Sequence, residues 1–357
     1  MFCKDYDECK KNTGAQINRA ILIGFGHHGR NRLFKSLLKL KQIETILVYD
    51  VRPEAVQDLT SFEHDTHVKS TSDFNVLLTN ASKETFVVIG TTAKDHMKIF
   101  RKVVEKGVKY IYIEKPLAQS ISDCKEMVTI AQKNGVSVAV GFYNNFIPLM
   151  QHHKRLESEH TLGKLLKVSS EGGAVCLSTN GVHVINLANL LFSDQPVEVY
   201  GRITSRIQNP RGNEYFTHGG LLHALYRGGQ ELLISYNNDS LISHSITLYY
   251  EYGFIRASYD DEFIRVFSYN EDLNDRPKYR YQKPLELQQV SNNFDFNSFF
   301  DAIFYNLLNC GVYCTLERAS MDMQLLLGAF VSDTKKCSIT LPIEAEDDRY
   351  YERFPIT

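Results

Sequence analysis

No apolar run in the chain approaches the roughly 20 residues needed to cross a bilayer, so the sequence offers no transmembrane helix. No charge of one sign dominates either. Forty basic side chains stand against 42 acidic ones, for a net charge of -2, and that balance argues against a nucleic-acid or membrane-surface protein, whose affinity draws on a positive field. No C-x-x-C pair occurs among the seven cysteines (Cys3, Cys9, Cys124, Cys176, Cys310, Cys314 and Cys337), which removes zinc knuckles and thioredoxin-like sites from consideration. Such a scattered, odd set is expected of small apolar fillers in a reduced cytosol, and a cytoplasmic location is expected with it. No H-x-x-x-H pair or carboxylate cluster has metal-ligand spacing, so no metal is expected. A serine-hydrolase reading has no G-x-S-x-G elbow to stand on. Tryptophan is absent, which leaves the aromatic content to 20 tyrosines and 21 phenylalanines. The first 18 residues mix charges around no apolar centre and read as a tail rather than a signal peptide.

What is present is a globular chain of two-domain length. It has 357 residues, 43% hydrophobic and 23% charged, and ordinary domains run at about 150 residues each. From residue 19 to residue 147, short apolar runs alternate with amphipathic stretches. The runs are Ala20–Ile23, Thr45–Tyr49, Phe86–Ile89, Tyr110–Ile113 and Val138–Val140. None shows strict alternation, as expected of parallel strands buried on both faces. Helical spacing appears at Leu33, Phe34, Leu37, Leu38 and Leu40, over Asp95–Lys106 before Gly107, and over Ser122–Asn134 before Gly135. Ser120 and Asp123 are spaced as a capping box for the last of these. Strand alternating with helix predicts a doubly wound α/β sheet.

The pattern changes near Pro148, where a second domain is expected to start and run to residue 357. A polar helix over Leu149–His160, placing His152 and His153 on a polar face, precedes a strand at Leu165–Val168 and an apolar helix over Val182–Phe192. Strand-length segments follow at Val197–Ile203, Glu231–Tyr236, Ser245–Tyr250, Phe254–Tyr259 and Phe263–Tyr269. They predict a large, mostly antiparallel sheet with one face open. Two late helices, over Asp295–Leu308 and Leu316–Phe330, and a strand near Ser338–Leu341 complete the α/β domain, and these helices could pack back on the first domain.

The chemistry-bearing residues start with Gly24-Phe25-Gly26-His27-His28-Gly29, a G-x-G-x-x-G loop between an apolar strand and a helical pattern. Glycines there permit the tight turn, close approach of the backbone to a pyrophosphate, and helix–strand packing. The helix N-terminus adds oriented N–H donors. Asp50 ends the second run, where a carboxylate can bind an adenosine ribose and repel a 2′-phosphate. NAD is therefore expected, with NADP left open because Arg52 and Arg30 lie close in sequence. Glu114-Lys115-Pro116 follows a strand directly, in the position where open α/β sheets bind ligands. Lys115 there could polarise a substrate oxygen or be an exposed turn lysine. His183 enters an apolar helix and could move a proton near neutral pH or be a satisfied core histidine. His218 and His223, around Gly219-Gly220, could line a pocket or lie at the surface.

In order and spacing these segments resemble the Gfo/Idh/MocA family of dehydrogenases, which includes glucose–fructose oxidoreductase and inositol dehydrogenase. The markers are Gly24–Gly29, Gly90-Thr91-Thr92 with His96, Glu114-Lys115-Pro116, Val140-Gly141-Phe142 through Phe146 and Pro148, Leu162-Gly163-Lys164, Gly181-Val182-His183 and Leu341-Pro342. The resemblance implies a Rossmann domain followed by an α/β domain whose open sheet makes a homodimer or homotetramer. It also implies a cleft where nicotinamide meets a sugar-type substrate. It assigns Phe25, His27, His28, Arg52, Thr91, Thr92, His96, Glu114, Lys115 and Pro116 to the cofactor, and Lys115 and His183 to catalysis. Thr179, Asn180, Asn186, Tyr143 and Asn145 are then expected at the substrate.

Four positions depart from the family pattern. Thr179 and Asn186 stand where the family often has aspartates, and Tyr143 and Asn145 stand where it often has asparagine and arginine. Losing carboxylates would favour a substrate with its own negative charge, such as a nucleotide sugar in surface-glycan synthesis, met by Arg202, Arg206, Arg211 or Arg227 or by none of these. The expected activity is interconversion of a secondary alcohol and a ketone on a sugar. Reduction of a C=N or C=C bond, internal recycling of bound cofactor, and a catalytically weak dinucleotide-binding regulator are the alternatives.

Overall fold

The computed structural model describes residues 17–57, 59, 67–159, 162–173, 175–208, 215–258, 261–269 and 284–357, without the side chains of 205–208. Cys3, Cys9, Arg206 and Arg211 therefore fall, as side chains, outside the described residues. The chain divides into two compact units, one holding residues up to Tyr143 with Asp295–Met321 and Thr357, the other Asn144–Phe294 with Asp322–Ile356.

The first unit is built on a six-stranded parallel sheet in the order β3-β2-β1-β4-β5-β6. Its strands are β1 (Arg19–Ile23), β2 (Thr45–Tyr49), β3 (Val68–Thr71), β4 (Thr85–Ile89), β5 (Tyr110–Ile113) and β6 (Ser137–Val140). The order reverses at β1 and β4, and every strand pairs in parallel with its neighbour. The apolar runs explain the interior strands, with β4 buried along its whole length. Between strands lie a helical run Gly29–Phe34 continued by α1 (Lys35–Leu37), α2 (Pro53–Gln57), α3 (Phe74–Thr79), α4 (Ala93–Glu105) and α5 (Ile121–Asn134). The Ser120 hydroxyl caps α5 by accepting from the Asp123 N–H, and Gly135 ends it in the left-handed conformation at φ 58°.

The second unit carries a nine-stranded sheet in the order β14-β13-β12-β11-β7-β10-β9-β8-β15. Its first helix is α6 (Pro148–Ser158), followed by β7 (Leu165–Gly173), a short helical turn Leu177–Gly181 and α7 (Val182–Phe192). The remaining strands are β8 (Pro196–Gln208), β9 (Phe216–Tyr226), β10 (Glu231–Asn237), β11 (Ser245–Tyr250), β12 (Gly253–Ser258), β13 (Phe263–Ser268) and β14 (Leu285–Ser291). All pairings are antiparallel except β7 with β10. Alternating burial, as in β9 and β10, marks one face as core and the other as open. The polar face expected of α6 does not hold at His152 and His153. Both are buried, and His153 Nδ1 lies 2.6 Å from the Tyr250 hydroxyl.

Towards the C-terminus come α8 (Phe296–Asn309), α9 (Leu316–Lys335), β15 (Ile339–Thr340) and a 3-10 turn Asp348–Tyr351. In the first unit, Phe304 of α8 packs edge-on against Phe86 and Tyr112, at ring-centroid separations of 5.2 and 5.1 Å. In the second, α9 crosses β8 so closely that a Cβ on Gly201 would sit 2.2 Å from the Ala329 carbonyl oxygen. Among the described residues, no helix is long and apolar enough to cross a membrane.

Candidate functional site

In the first unit the loop after β1 is shaped by its glycines. Gly24 has φ +97°, and a Cβ there would lie 2.7 Å from the Gly90 carbonyl oxygen. A Cβ on Gly29 would lie 2.2 Å from the Gly24 oxygen, so the third glycine lets the helix pack on the strand end. At Gly26, among the described residues, such a Cβ would meet only Arg52 Nη2, at 3.9 Å. That open cradle lies just before the helical run, at the positive end of the helix dipole. The arrangement fits a dinucleotide pyrophosphate.

Asp50 is buried at the end of β2 and organises this loop. Its Oδ2 accepts from the Phe25 N–H at 2.8 Å, and its Oδ1 accepts from the Arg52 N–H and Nε, both at 3.0 Å. Burial alone would raise its carboxyl, but the bonds from Arg52 and Phe25 bring it below the usual value. Arg52 is thus held on Asp50. Arg30 lies over the Phe25 ring and donates to the Ala55 carbonyl oxygen at 3.0 Å, rather than standing in solvent or reaching toward a 2′-phosphate.

A second carboxylate joins the loop to the end of β5. Glu114 Oε1 accepts from the Tyr112 hydroxyl at 2.5 Å and lies 2.9 Å from His28 Nε2, while Oε2 accepts from the Lys115 N–H at 3.2 Å. Burial pushes this carboxyl up, yet His28, Lys115 and Tyr112 overcome it and hold it at about 2. Lys115 is half-buried beside it and is followed by a cis bond to Pro116. Thr91 and Thr92 line the turn after β4, where Thr91 Oγ1 is buried without a hydrogen-bond partner among the described residues.

Two residues assigned to the cofactor turn inward instead. The Phe25 side chain is buried edge-on against Phe34, so only its backbone belongs to the loop surface. His96 is 0% exposed; its Nδ1 faces the Leu117 carbonyl and its Nε2 the Thr91 carbonyl, each at 3.0 Å. It ties the turns after β4 and β5 together and is out of reach of a ligand. His27 is exposed, 3.2 Å from the Asn31 amide.

In the second unit the entry to α7 gathers the other expected residues. Thr179, Asn180 and His183 are half-buried. Asn180 Oδ1 accepts from the Cys176 N–H at 3.1 Å, closing the turn that leads to His183. Asn186, expected at the substrate, is 0% exposed, with Oδ1 accepting from the Asn144 amide at 2.9 Å and Nδ2 donating to Asp322 at 2.7 Å. It lies three residues after His183 on a helix buried on nearly every side, which turns it into the core. Tyr143 belongs to the first unit, stacked on Phe299 with centroids 5.3 Å apart and interplanar angle 8°; Asn145 is half-buried in the second.

Sequence reasoning missed three participants. Asn144 lies inside the Val140–Phe146 marker but at a position it leaves open, and Asp322 carries no motif; only the folded contacts reveal them. Cys176 had passed as a filler, but its Sγ lies 3.2 Å from the Ser178 hydroxyl. Burial raises its thiol, and hydrogen bonds from His218, Ser178 and Thr179 draw it down to about 6. His218 is buried on β9 against Phe330, while His223 is half-exposed beside Glu231. Arg202 is exposed on β8, and Arg227 is exposed at a turn, donating to Gln195 Oε1 at 3.0 Å. No group of three or more metal-ligating side chains occurs among the described residues.

Comparison with known proteins places these features. Residues 18–142 match the model described as an oxidoreductase family with an NAD-binding Rossmann fold. The 2,7-anhydro-N-acetylneuraminate hydratase of Mediterraneibacter gnavus is 30% identical over 145 residues, 41% of this chain and 37% of that protein. Inositol 2-dehydrogenase of Salmonella typhimurium is 27% identical over 132 residues, 36% of this chain and 38% of that one. The matches thus span well under two thirds of these relatives. The fold is similar to that of the WlbA dehydrogenase of Bordetella pertussis, solved with NADH and UDP-GlcNAcA, at a TM-score of 0.70 and 17% identity over 93% of this chain and 100% of that one.

Proposed function

We propose that the protein is an NAD-dependent oxidoreductase interconverting a secondary alcohol and a ketone on a sugar or sugar derivative, a reading that starts from the match of residues 18–142 to the Gfo/Idh/MocA oxidoreductase family with its NAD-binding Rossmann fold. The observation that carries the reading is the Glu114 carboxylate, which bonds His28 of the dinucleotide loop and the backbone of Lys115 together. That bridge fixes the lysine beside the nucleotide cradle at the carboxyl end of β5, where ligands of open α/β sheets bind. Bound nicotinamide would accept or return the hydride. Lys115 donates to the substrate oxygen and stabilises the charge that develops on it. His183, half-buried at the start of α7, is the group assigned to take up or return a proton. Thr179 and Asn180 beside it orient the remaining hydroxyls.

The sugar class rests on the relatives named for inositol and anhydro-neuraminate substrates. A nucleotide sugar is one member of that class. A second reading keeps these residues and returns the hydride to the same molecule, so that cofactor is recycled within a turnover. It draws on the 30%-identical relative being a hydratase by name. The open face of the nine-stranded sheet is the surface on which a homodimer or homotetramer would form.

The test is Lys115→Ala beside His183→Ala, with NADH affinity read by fluorescence and turnover by NADH absorbance against free sugars, inositols, sugar acids and nucleotide sugars. Each variant should keep NADH affinity within about threefold and lose turnover by about 10²–10⁴. Product formed without net change in NADH selects the recycling reading. Unimpaired turnover in Lys115→Ala would sink both readings.

A further inference from the structure

The polar groups buried around α7 form a directed chain that ends on the backbone of His183. The Tyr226 hydroxyl on β9 donates to Asn189 Oδ1 at 2.6 Å, and Asn189 Nδ2 donates to Asp322 Oδ1 at 2.6 Å. The other carboxylate oxygen, Asp322 Oδ2, accepts from Asn186 Nδ2 at 2.7 Å. Asn186 Oδ1 in turn accepts from Asn144 Nδ2 at 2.9 Å, and the same Nδ2 donates to the His183 carbonyl oxygen at 2.7 Å. Asn186 and Asn189 stand three residues apart on one face of α7, which lets a single carboxylate on α9 receive both amides. Asp322 is 0% exposed.

We propose that Asp322 is a positioning residue for His183, an anchor that orients Asn186 and, through it, the Asn144 amide that holds the first turn of α7. The proposal rests on the reading of His183 as the proton-transfer group. Its logic lies in the donor and acceptor inventory. An ionised carboxylate only accepts, whereas a carboxamide presents a donor on one side and an acceptor on the other. Facing Asp322, Asn186 must turn its NH₂ toward the carboxylate, which leaves its oxygen toward Asn144. Asn144 must then offer its NH₂, and that group has one hydrogen for Asn186 and one for the His183 carbonyl. Asn189 is turned in the same way, leaving its oxygen for Tyr226. Burial and the negative charge of Asp322 and Asp194 push the Tyr226 hydroxyl well above its usual value, so it remains a donor. With the anchor removed, two buried amide donors lose the carboxylate that accepts from them, and Asn186 loses the charged partner that orients its amide.

The same inventory supplies a rescue. In the double variant Asn186→Asp with Asp322→Asn, the new carboxylate at 186 accepts from Asn144 and from the new amide at 322. The oxygen of that amide accepts from Asn189, so each donor keeps an acceptor. Asn186→Asp alone instead sets two carboxylates face to face.

The experiment uses the full chain without substrate. The His183 imidazole is titrated by NMR, assigned with His183→Gln, and hydrogen exchange is followed by mass spectrometry. Asp322→Ala should displace the titration by at least about half a pH unit and speed exchange in 183–187 at least about tenfold, with β9 and β10 within about twofold of wild type. The double variant should restore both readings. A folded Asp322→Ala with unchanged titration and exchange overturns the proposal. If Asp322→Ala does not fold, the double variant decides: wild-type readings support the proposal, and a folded double variant with a displaced titration overturns it. None of these readings uses turnover. Full turnover in His183→Ala would therefore remove the catalytic role of His183 without touching the positioning result.

Discussion

Replacing Glu114 by glutamine removes one titratable group from the centre of the nucleotide unit while keeping its size. The carboxyl is held at about 2 instead of 4.5, which amounts to about 3 kcal/mol of folding free energy at neutral pH. Because its folded value lies below its unfolded value, that contribution is complete above about pH 4.5 and is lost as the pH falls toward about 2. By pH 3, roughly 2 of the 3 kcal/mol should be gone. Glutamine has no such dependence, so the difference between wild type and Glu114→Gln isolates it. In a unit of this size 1 kcal/mol moves the melting temperature by about 2–4 °C. The wild-type advantage seen in thermal unfolding at pH 7 should therefore narrow by about 4–8 °C at pH 3. A gap that stays constant over that range would refute the account of Glu114 as an ionised hub held by His28, Tyr112 and the Lys115 backbone.

The glycine loop gives a contrasted pair. Gly29→Ala drives a Cβ to 2.2 Å from the Gly24 oxygen, so urea denaturation should show a loss of several kcal/mol, about 3 or more, with NADH binding abolished. Gly26→Ala meets only Arg52 Nη2 at 3.9 Å. Its stability should change by less than about 1 kcal/mol while NADH affinity, read by fluorescence titration, falls at least about tenfold. Phe304→Ala removes a ring packed on Phe86 and Tyr112 and should cost about 3–5 kcal/mol in the same denaturation assay.

The sheets were legible where strands are apolar throughout and hidden where they are not. β3 carries Val68 as its one buried residue at a sheet edge, so it shows no run. β9 contains Gly219-Gly220, which resembles a turn in sequence. In the fold Gly220 adopts φ +128° because the β8 backbone comes so close that a Cβ would lie 2.1 Å from the Arg202 oxygen. β8 shifts register there between Ile203 and Arg206, and a glycine is what a bulge of that kind requires. The glycine loop after β1 was legible because its turn is confined to six consecutive residues, Gly24–Gly29. His96 was misassigned for the converse reason: its motif position says it is near the cofactor loops, and only burial says that it braces them from behind.

The charge of the α7 region shows how far a local pattern can mislead. Thr179 and Asn186, taken as replacements for carboxylates, suggested a pocket stripped of negative charge and hence an anionic substrate. Asn186 does not face a pocket, however, and its amide is bonded to the carboxylate of Asp322, 136 residues away in the chain. The negative charge is therefore present one hydrogen bond deeper, on α9, and the argument for an anionic substrate loses Asn186 as a support. Arg202 and Arg227 do not replace it, since both are exposed, on β8 and at a turn. What remains at the accessible entry is Thr179, Asn180 and His183, a set of neutral hydrogen-bonding groups around one imidazole. Such a set suits the hydroxyls of a sugar or polyol, and a screen weighted toward neutral ring polyols should find turnover before one weighted toward sugar phosphates.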